Sequence, residues 1–297
     1  MKMSRKILIL DSSQLQQYGE CPEMWHLSNE ENLTLSNEIR DDFAMGTYGH
    51  KLLEIYYTEL RNSTLQGALA AINNYQLPDG YPLGQERRET VFNRIRDYWM
   101  KYTTVGDILV GTRQQSFIDI DNDGFSCTGY REVPLVEKGF SFPLLDTNEY
   151  LFVLEGKIDL IGWMSGMELF MDHKFQTRSH QLYTKTIQFR NYAMVTGFKT
   201  GIINYIRLHK EITKDTLERK IISFAPGELN DWKKELIDTF ISISKKMGQD
   251  QYKNRAACIG RYGFPCQYVK ICDERDLVTI QAIKETLYKK KEHWTPW

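Results

Sequence analysis

The stretch Gly156-Lys157-Ile158-Asp159-Leu160-Ile161-Gly162-Trp163-Met164-Ser165-Gly166-Met167-Glu168-Leu169-Phe170-Met171-Asp172-His173-Lys174 decides the fold. It reads as two strands, Lys157–Trp163 and Glu168–Lys174, with Ser165-Gly166 as the turn between them. Residues two apart on a strand point the same way, so Asp172 and Lys174 share one side while His173 faces the other. Asp159 sits mid-strand in the first arm. The apolar neighbours Ile158, Leu160, Leu169 and Met171 imply that both arms are substantially buried. Charges in such a setting need partners or a metal.

Upstream, Ser12 or Ser13 is placed to cap a short helix that ends near Cys21-Pro22. A second helix is predicted from about Asp42 to Arg61, with Leu52, Leu53, Tyr56 and Leu60 at helical spacing. Two more follow, near Leu65–Tyr75 and Arg88–Tyr102, separated by the loop Asp79-Gly80-Tyr81-Pro82. Ser116–Ile120, Tyr130–Val136 and Leu151–Leu154 read as further strands. After Lys174 the pattern predicts a helix over Gln181–Thr196 and a strand over Ile202–Leu208. An amphipathic helix over Leu229–Met247 follows, with Trp232, Leu236, Phe240 and Ile243 on one face. A cysteine-bearing loop and a charged helix from about Asp276 close the chain. This order implies an α/β fold with a mixed central sheet flanked by helices. An N-terminal helical portion and a C-terminal cysteine-bearing segment are added to it.

The 297 residues carry a formal net charge of -1, so any surface that grips a polyanion must be a local patch. The apolar run Ile7-Leu8-Ile9-Leu10 is too short for a signal-peptide core, and no run approaches the length of a membrane span. These features imply a cytoplasmic protein in a reducing compartment. There the five cysteines are metal ligands or core residues rather than disulfides.

Two carboxylates brought together across a hairpin repel, and a divalent cation removes that penalty. Mg²⁺ suits them because it prefers oxygen ligands at about 2.0–2.1 Å and retains waters. One of those waters can attack a phosphodiester while the cation offsets charge on the scissile phosphate. Lys174 can orient the water, lower its pKa or neutralise developing charge. His50, in Gly46-Thr47-Tyr48-Gly49-His50, can add a neutral imidazole ligand. Gln188 and Tyr192 are four apart on the helix after Lys174 and so share a face. Both can hydrogen-bond a phosphate or the lysine.

Taken together, G-x-x-x-H (Gly46–His50), G-x-x-D (Gly156–Asp159), D-x-K (Asp172–Lys174) and Q-x-x-x-Y (Gln188–Tyr192) occur in this order. The series resembles the RecB-like branch of the PD-(D/E)XK nuclease superfamily over most of the chain. The resemblance implies a restriction-endonuclease-like fold in a single domain, 1–297. Within it lie a helical insertion over about 62–105, a catalytic core over about 106–225, and a terminal helix with its cluster-binding segment over about 226–297. It implies Mg²⁺ or Mn²⁺ on His50, Asp159 and Asp172, with the Phe175 carbonyl joining the shell, a catalytic Lys174, and support from Gln188 and Tyr192. The expected activity is DNA hydrolysis, in the manner of an exonuclease acting on single-stranded or end-bearing DNA. Alternatives are an inactive or partner-dependent DNA-binding module of the same fold, or a CRISPR adaptation factor that trims DNA ends. Glu132 is a weaker candidate for site support.

Cys258, Cys266 and Cys272 form a C-x7-C-x5-C trio, which is not zinc-finger spacing. The trio needs a fourth ligand, and Cys21, in Cys21-Pro22-Glu23-Met24-Trp25, is the natural candidate. One early cysteine with three late ones resembles the [4Fe–4S]-bearing members of the superfamily: the AddB nuclease domain, CRISPR adaptation nucleases and eukaryotic exonuclease V. Thiolates also hold Zn²⁺ tetrahedrally, so zinc stays open as an occupant. Cys127 is left as a core or strand residue. Two basic stretches could track DNA. One is Lys174, Arg178, His180, Lys185 and Arg190. The other is Lys253, Arg255, Arg261 and Lys270, with Tyr252, Tyr262, Phe264 and Tyr268 interleaved. Lys289-Lys290-Lys291 reads as a solvated helix face.

Overall fold

In a computed structural model, the described residues are 5–36, 41–62, 64–102, 109–110, 135–176, 186–208, 216–259 and 265–291. In chain order the elements are β1 (Lys6–Leu10), α1 (Ser12–Glu20), α2 (Pro22–Trp25), a π-helical turn (His26–Glu30), β2 (Leu33–Leu35), α3 (Asp41–Asn62), α4 (Leu65–Asn74), α5 (Gln85–Tyr102), β3 (Leu109–Val110), β4 (Val136–Asp146) and β5 (Tyr150–Met164). They continue as β6 (Met167–Gln176), α6 (Ile187–Thr196), β7 (Thr200–Arg207), β8 (Leu217–Ser223), α7 (Pro226–Lys246), a 3₁₀ turn (Arg255–Ile259), α8 (Val269–Asp273), α9 (Leu277–Leu287) and β9 (Tyr288–Lys290). None of the helices among the described residues is long and apolar enough to cross a membrane.

The chain forms two compact units. One gathers Met1–Glu38, Ser141–Gly156 and Asn230–Pro296, the other Ile39–Phe140 and Lys157–Leu229. The second unit is a sheet between two helical layers. Its β5 residues run antiparallel to β6 in the register Leu160↔Met171, and β6 runs parallel to β7 with Asp172 opposite Ile203. β7 then pairs antiparallel with β8. Strand alternation sorts the core. Leu169, Met171, Ile202 and Ile206 pack with α3, α4 and α5, whereas Phe170, Ile203 and Tyr205 pack with Phe189, Tyr192 and Ala193 of α6. The architecture is therefore mixed α/β, a central mixed sheet flanked by helices, as the sequence implies.

In the first unit β1 lies parallel to the opening residues of β5, from Lys6↔Tyr150 to Leu10↔Leu154. The buried face of α7, Trp232, Leu236, Phe240 and Ile243, is the one that helical spacing selects. Phe240 meets Phe152 at 5.6 Å between ring centroids.

Several expectations need correction. The cap of α1 is Asp11, not Ser12 or Ser13: its carboxylate accepts from Gln14 N while the Gln14 side chain accepts from Asp11 N, a reciprocal capping box. β5 runs unbroken through Glu155-Gly156, so the expected strands at 151–154 and 157–163 are one. The hairpin turn falls where expected, with Ser165 at φ 51° and Gly166 at φ 79°, the twist that a two-residue hairpin requires. Strands β1, β4 and β8 escape the periodicity reading; β1 is recruited by the distant β5, whereas β4 and β8 pair with their sequence neighbours β5 and β7. Lys289 and Lys290 lie on β9, paired with β2 rather than on a helix face, and Lys290 Nζ donates to the Glu31 carbonyl at 2.6 Å. The strand expected at 116–120, most of that at 130–136, and Cys127 and Glu132 lie outside the described residues.

Candidate active site

Helix α3 presents Ala44, Met45, Tyr48, Leu52, Leu53, Tyr56 and Tyr57 to the core. His50 lies off this stripe, and its ring packs edge-on against Phe175 at 5.2 Å between centroids. The helix can approach the β6 end because Gly49 lacks a side chain. A Cβ there would stand 2.4 Å from the Phe175 ring, whereas one at Gly46 would meet only the Phe175 Cβ, at 3.9 Å. The close approach thus depends on Gly49, not on the glycine of the G-x-x-x-H pattern.

The β5–β6 register runs from Met164↔Met167 to Leu160↔Met171. One residue earlier on β5, a side chain takes over from the backbone: Asp159 Oδ2 accepts from the His173 N–H at 2.7 Å. That bond holds the carboxylate at the strand pair. His173 itself faces the opposite way, as alternation requires. Its Nδ1 meets Asn204 Nδ2 at 2.8 Å and its ring stacks on Tyr57. Burial holds His173 well below its ordinary pKa, with His50, Arg219 and Lys174 adding to the effect. It is a neutral core residue.

His50, Glu137 and Asp159 each offer one ligand atom, and the three atoms lie within 4.8 Å of one another. His50 Nδ1 is 3.4 Å from Asp159 Oδ2 and 3.8 Å from Glu137 Oε1. Burial works against a charged His50, but Asp159, Glu137 and Asp172 outweigh it and raise its pKa. Burial pushes Asp159 up to about 7, with His50 opposing and Asp172 and Glu137 reinforcing. Burial also acts to raise Glu137, yet hydrogen bonds from His50 and Lys157 bring it below the ordinary carboxylate value. Its Oε2 lies 2.6 Å from Lys157 Nζ. Its backbone takes φ 49°, a left-handed conformation costing a non-glycine residue roughly 1–2 kcal/mol. Two carboxylates and an imidazole are a donor set that a divalent cation fits.

Beside this group runs a chain of hydrogen bonds. Lys174 Nζ lies 2.7 Å from Asp172 Oδ2 and donates to Gln188 Oε1 at 2.8 Å. Gln188 Nε2 donates to Asp172 Oδ1 at 3.0 Å and to Tyr192 OH at 2.7 Å. Tyr192 OH donates in turn to the Lys157 carbonyl at 2.5 Å. Burial raises Tyr192 well above its ordinary value, so it stays a neutral donor. Asp172 is 1 % exposed, and its Oδ2 has the Lys174 ammonium nearby but no well-directed hydrogen bond among the described residues.

Of the expected residues, the fold brings His50 and Asp159 into one group and links Asp172, Lys174, Gln188 and Tyr192 in one network. Asp172 is not in the mutually close set; Glu137 takes that place. Phe175 is placed by its ring against His50. Sequence reading missed Glu137 because Val136-Glu137-Lys138 has no motif spacing, and the candidate chosen in that region, Glu132, is not described. Among the basic candidates, Arg190 Nε lies 3.9 Å from Glu228, Arg255 pairs with Asp273, and Lys253 lies 3.9 Å from Glu23. Tyr268 is corrected: it is fully buried and stacks on Tyr288, so it cannot stack a base. Arg178, His180, Lys185, Arg261, Tyr262 and Phe264 lie outside the described residues.

In the other unit Cys21, Cys258, Cys266 and Cys272 line one pocket, and all four are free thiols. Cys21 is the C-cap of α1 and the N-cap of α2, and its Sγ accepts from the Asn254 N–H at 3.4 Å. Cys266 N donates to the Cys258 carbonyl at 2.8 Å. Burial raises the Cys266 thiol and pushes Cys272 up to about 11. Gathered thiols that resist ionisation suit a cationic occupant able to stabilise thiolates.

The PD-(D/E)XK nuclease superfamily profile matches residues 12–273. No curated protein matches. Among solved structures, a candidate exonuclease from Eubacterium rectale shares 10% identity at TM-score 0.42, covering 85% of this chain and 88% of its own. The protein SSO0001 shares 13% identity at TM-score 0.33, covering 77% of this chain and 94% of its own. At these values neither likeness carries chemistry across. The profile match spans most of the chain and every motif named above, and the chain belongs to the PD-(D/E)XK nuclease superfamily.

Proposed function

We propose that this protein is a Mg²⁺/Mn²⁺-dependent deoxyribonuclease that hydrolyses phosphodiesters, acting as an exonuclease on single-stranded or end-bearing DNA. One observation carries the reading: His50, Glu137 and Asp159 converge within 4.8 Å beside a lysine held by Asp172 and Gln188. Asp172 adds a further buried carboxylate oxygen, and the Phe175 carbonyl is the remaining candidate ligand. A bound divalent cation would offset charge on the scissile phosphate and make water a stronger nucleophile at neutral pH. The imidazole among the carboxylates favours Mn²⁺ at least as well as Mg²⁺.

The protein's own groups do the positioning. Lys174 keeps its ammonium between Asp172 and Gln188, where it can donate a hydrogen bond to an attacking water or a phosphate oxygen. Gln188 accepts from the lysine and donates to the aspartate, which fixes both. Tyr192 anchors Gln188 to the β5 backbone. The exonuclease preference rests on the resemblance of the motif series alone.

The cysteine pocket is proposed to hold a [4Fe–4S] cluster that joins the N-terminal and C-terminal segments of its unit. What supports a metal occupant is that four free cysteines line one pocket; the choice of [4Fe–4S] over zinc rests on the resemblance of the cysteine pattern. Anaerobically purified protein should be brown and iron-loaded; a colourless, zinc-loaded protein overturns the cluster.

The test of activity uses end-labelled single-stranded and duplex DNA with Mn²⁺, Mg²⁺ or EDTA. Lys174→Ala should keep the wild-type melting temperature and cut on the order of 10²–10³-fold more slowly. Cutting by that variant at the wild-type rate removes the mechanism.

A further inference from the structure

One cavity lies apart from both the metal group and the cysteines. It opens among three helices of the metal-bearing unit. Tyr48 of α3, Tyr75 and Gln76 at the end of α4, and Arg88, Phe92 and Asn93 of α5 supply its main walls. It encloses about 220 Å³, less than the roughly 300–1,000 Å³ of drug-sized ligand sites, a volume that suits one small planar ring. Tyr48 is buried, and Tyr75 lies nearly parallel to it at 6.3 Å and 22°. Phe92 and Tyr75 are half-buried, and Gln76 and Asn93 are exposed. Arg88 donates through Nε to the Leu83 carbonyl at 2.7 Å. That bond fixes its guanidinium at the wall and leaves the terminal nitrogens, which have no acceptor among the described residues. Gln85 and Glu89, also on the lining, are bonded to each other at 2.7 Å.

We infer that this cavity holds one unpaired nucleobase of a DNA strand engaged for cleavage. The inference rests on the nuclease reading above and names how that site would choose its substrate. The lining combines the two things that base recognition needs. Tyr75 and Phe92 offer aromatic faces for stacking, and the amides of Gln76 and Asn93 can each donate to and accept from a base edge. The guanidinium of Arg88 can stack on a base or take a flanking phosphate. A purely apolar ligand would leave these amides unused, and a paired base cannot enter, because its hydrogen-bonding edge is occupied and its faces are covered. Tyr48 and His50 are two residues apart on α3, about 3 Å along the helix axis but roughly 200° around it. The cavity and the metal-site residue therefore lie on nearly opposite faces of one helix, and a strand with a base held in the cavity must pass around α3 to reach the metal group.

The test reads binding without cutting. A fluorescein-labelled single-stranded 12-mer is titrated with the full-length protein in EDTA and followed by anisotropy, with a duplex of the same sequence and free dTMP as comparisons. Tyr75→Ala should weaken single-strand binding roughly 5- to 150-fold, the loss of one stacked base, while Tyr75→Phe, which keeps the ring, stays near wild type. A 2-aminopurine placed along the strand should be quenched at one position, and an abasic site at that position should lose the same affinity on wild-type protein. This second measurement stands whether or not Tyr75→Ala folds. Unchanged binding by a folded Tyr75→Ala, no position-specific quenching, or free dTMP binding as tightly as the 12-mer overturns the inference. None of these outcomes touches the Lys174→Ala result, so failure here and failure of the nuclease reading are told apart.

Discussion

Gly49→Ala isolates the contact that lets α3 approach the metal group. The added Cβ would stand 2.4 Å from Phe175 Cε1 and Cζ and 2.8 Å from Cδ1, about 1 Å short of the ordinary carbon–carbon contact of about 3.5–4.0 Å. The ring must shift by about that amount, and it packs on His50 at 5.2 Å. Two terms oppose each other. Alanine is a better helix former than glycine by about 1 kcal/mol, while overpacking costs about 1–3 kcal/mol. The net is a loss of about 0–2 kcal/mol, or up to roughly 5 °C in melting temperature for a chain of this size. Activity should fall more steeply, because displacing a site residue by about 1 Å costs on the order of 10²-fold. The assay is a double-mutant cycle with Phe175→Ala, read by thermal melting in EDTA and by cutting with Mn²⁺. In the Phe175→Ala background the clash is gone, so Gly49→Ala should become stabilising by about 1 kcal/mol, leaving a coupling of about 1–3 kcal/mol between the two sites. If Gly49→Ala stabilises the wild-type background by the full helix-propensity gain and cuts normally, the close approach does not exist.

The remaining predictions concern charge and thiols. Burial raises Asp159 to about 7, with His50 opposing and Asp172 adding, so between about pH 4 and pH 7 the folded chain holds a proton that the unfolded chain releases. Its contribution therefore falls as pH rises, whereas neutral His173, depressed mainly by burial, acts the other way below its ordinary value. Comparison with Asp159→Asn separates the two. In EDTA the wild type should lose stability relative to the variant from pH 4 to pH 7, and Mn²⁺ should restore the wild type only; a wild type that gains on the variant as pH rises contradicts the assignment. Cys272→Ser should lower bound metal and melting temperature together, and retention of a full metal complement by that variant would remove Cys272 from the ligand set.

The hairpin, its turn and the pairing of Asp172 with Lys174 on one face were legible because strand alternation is local: a two-residue period needs no knowledge of the partner. The same holds for Gln188 and Tyr192, four apart on α6, and for the apolar face of α7. The sequence by itself thus determined the fold class, the order of the central elements and most of the candidate residues that the fold gathers. Glu137 depended on a strand whose backbone takes a left-handed turn at that residue, and no spacing rule announces it. The need for Gly49 rather than Gly46 was invisible too, because it comes from the Phe175 ring, more than a hundred residues away in sequence. Tyr268 looked like a base-stacking aromatic and proved to be core, since a local basic and aromatic pattern does not say which way a ring turns. What the tertiary structure alone decided was which side chains meet, because long-range packing sets side-chain contacts and sequence periodicity sets only the face.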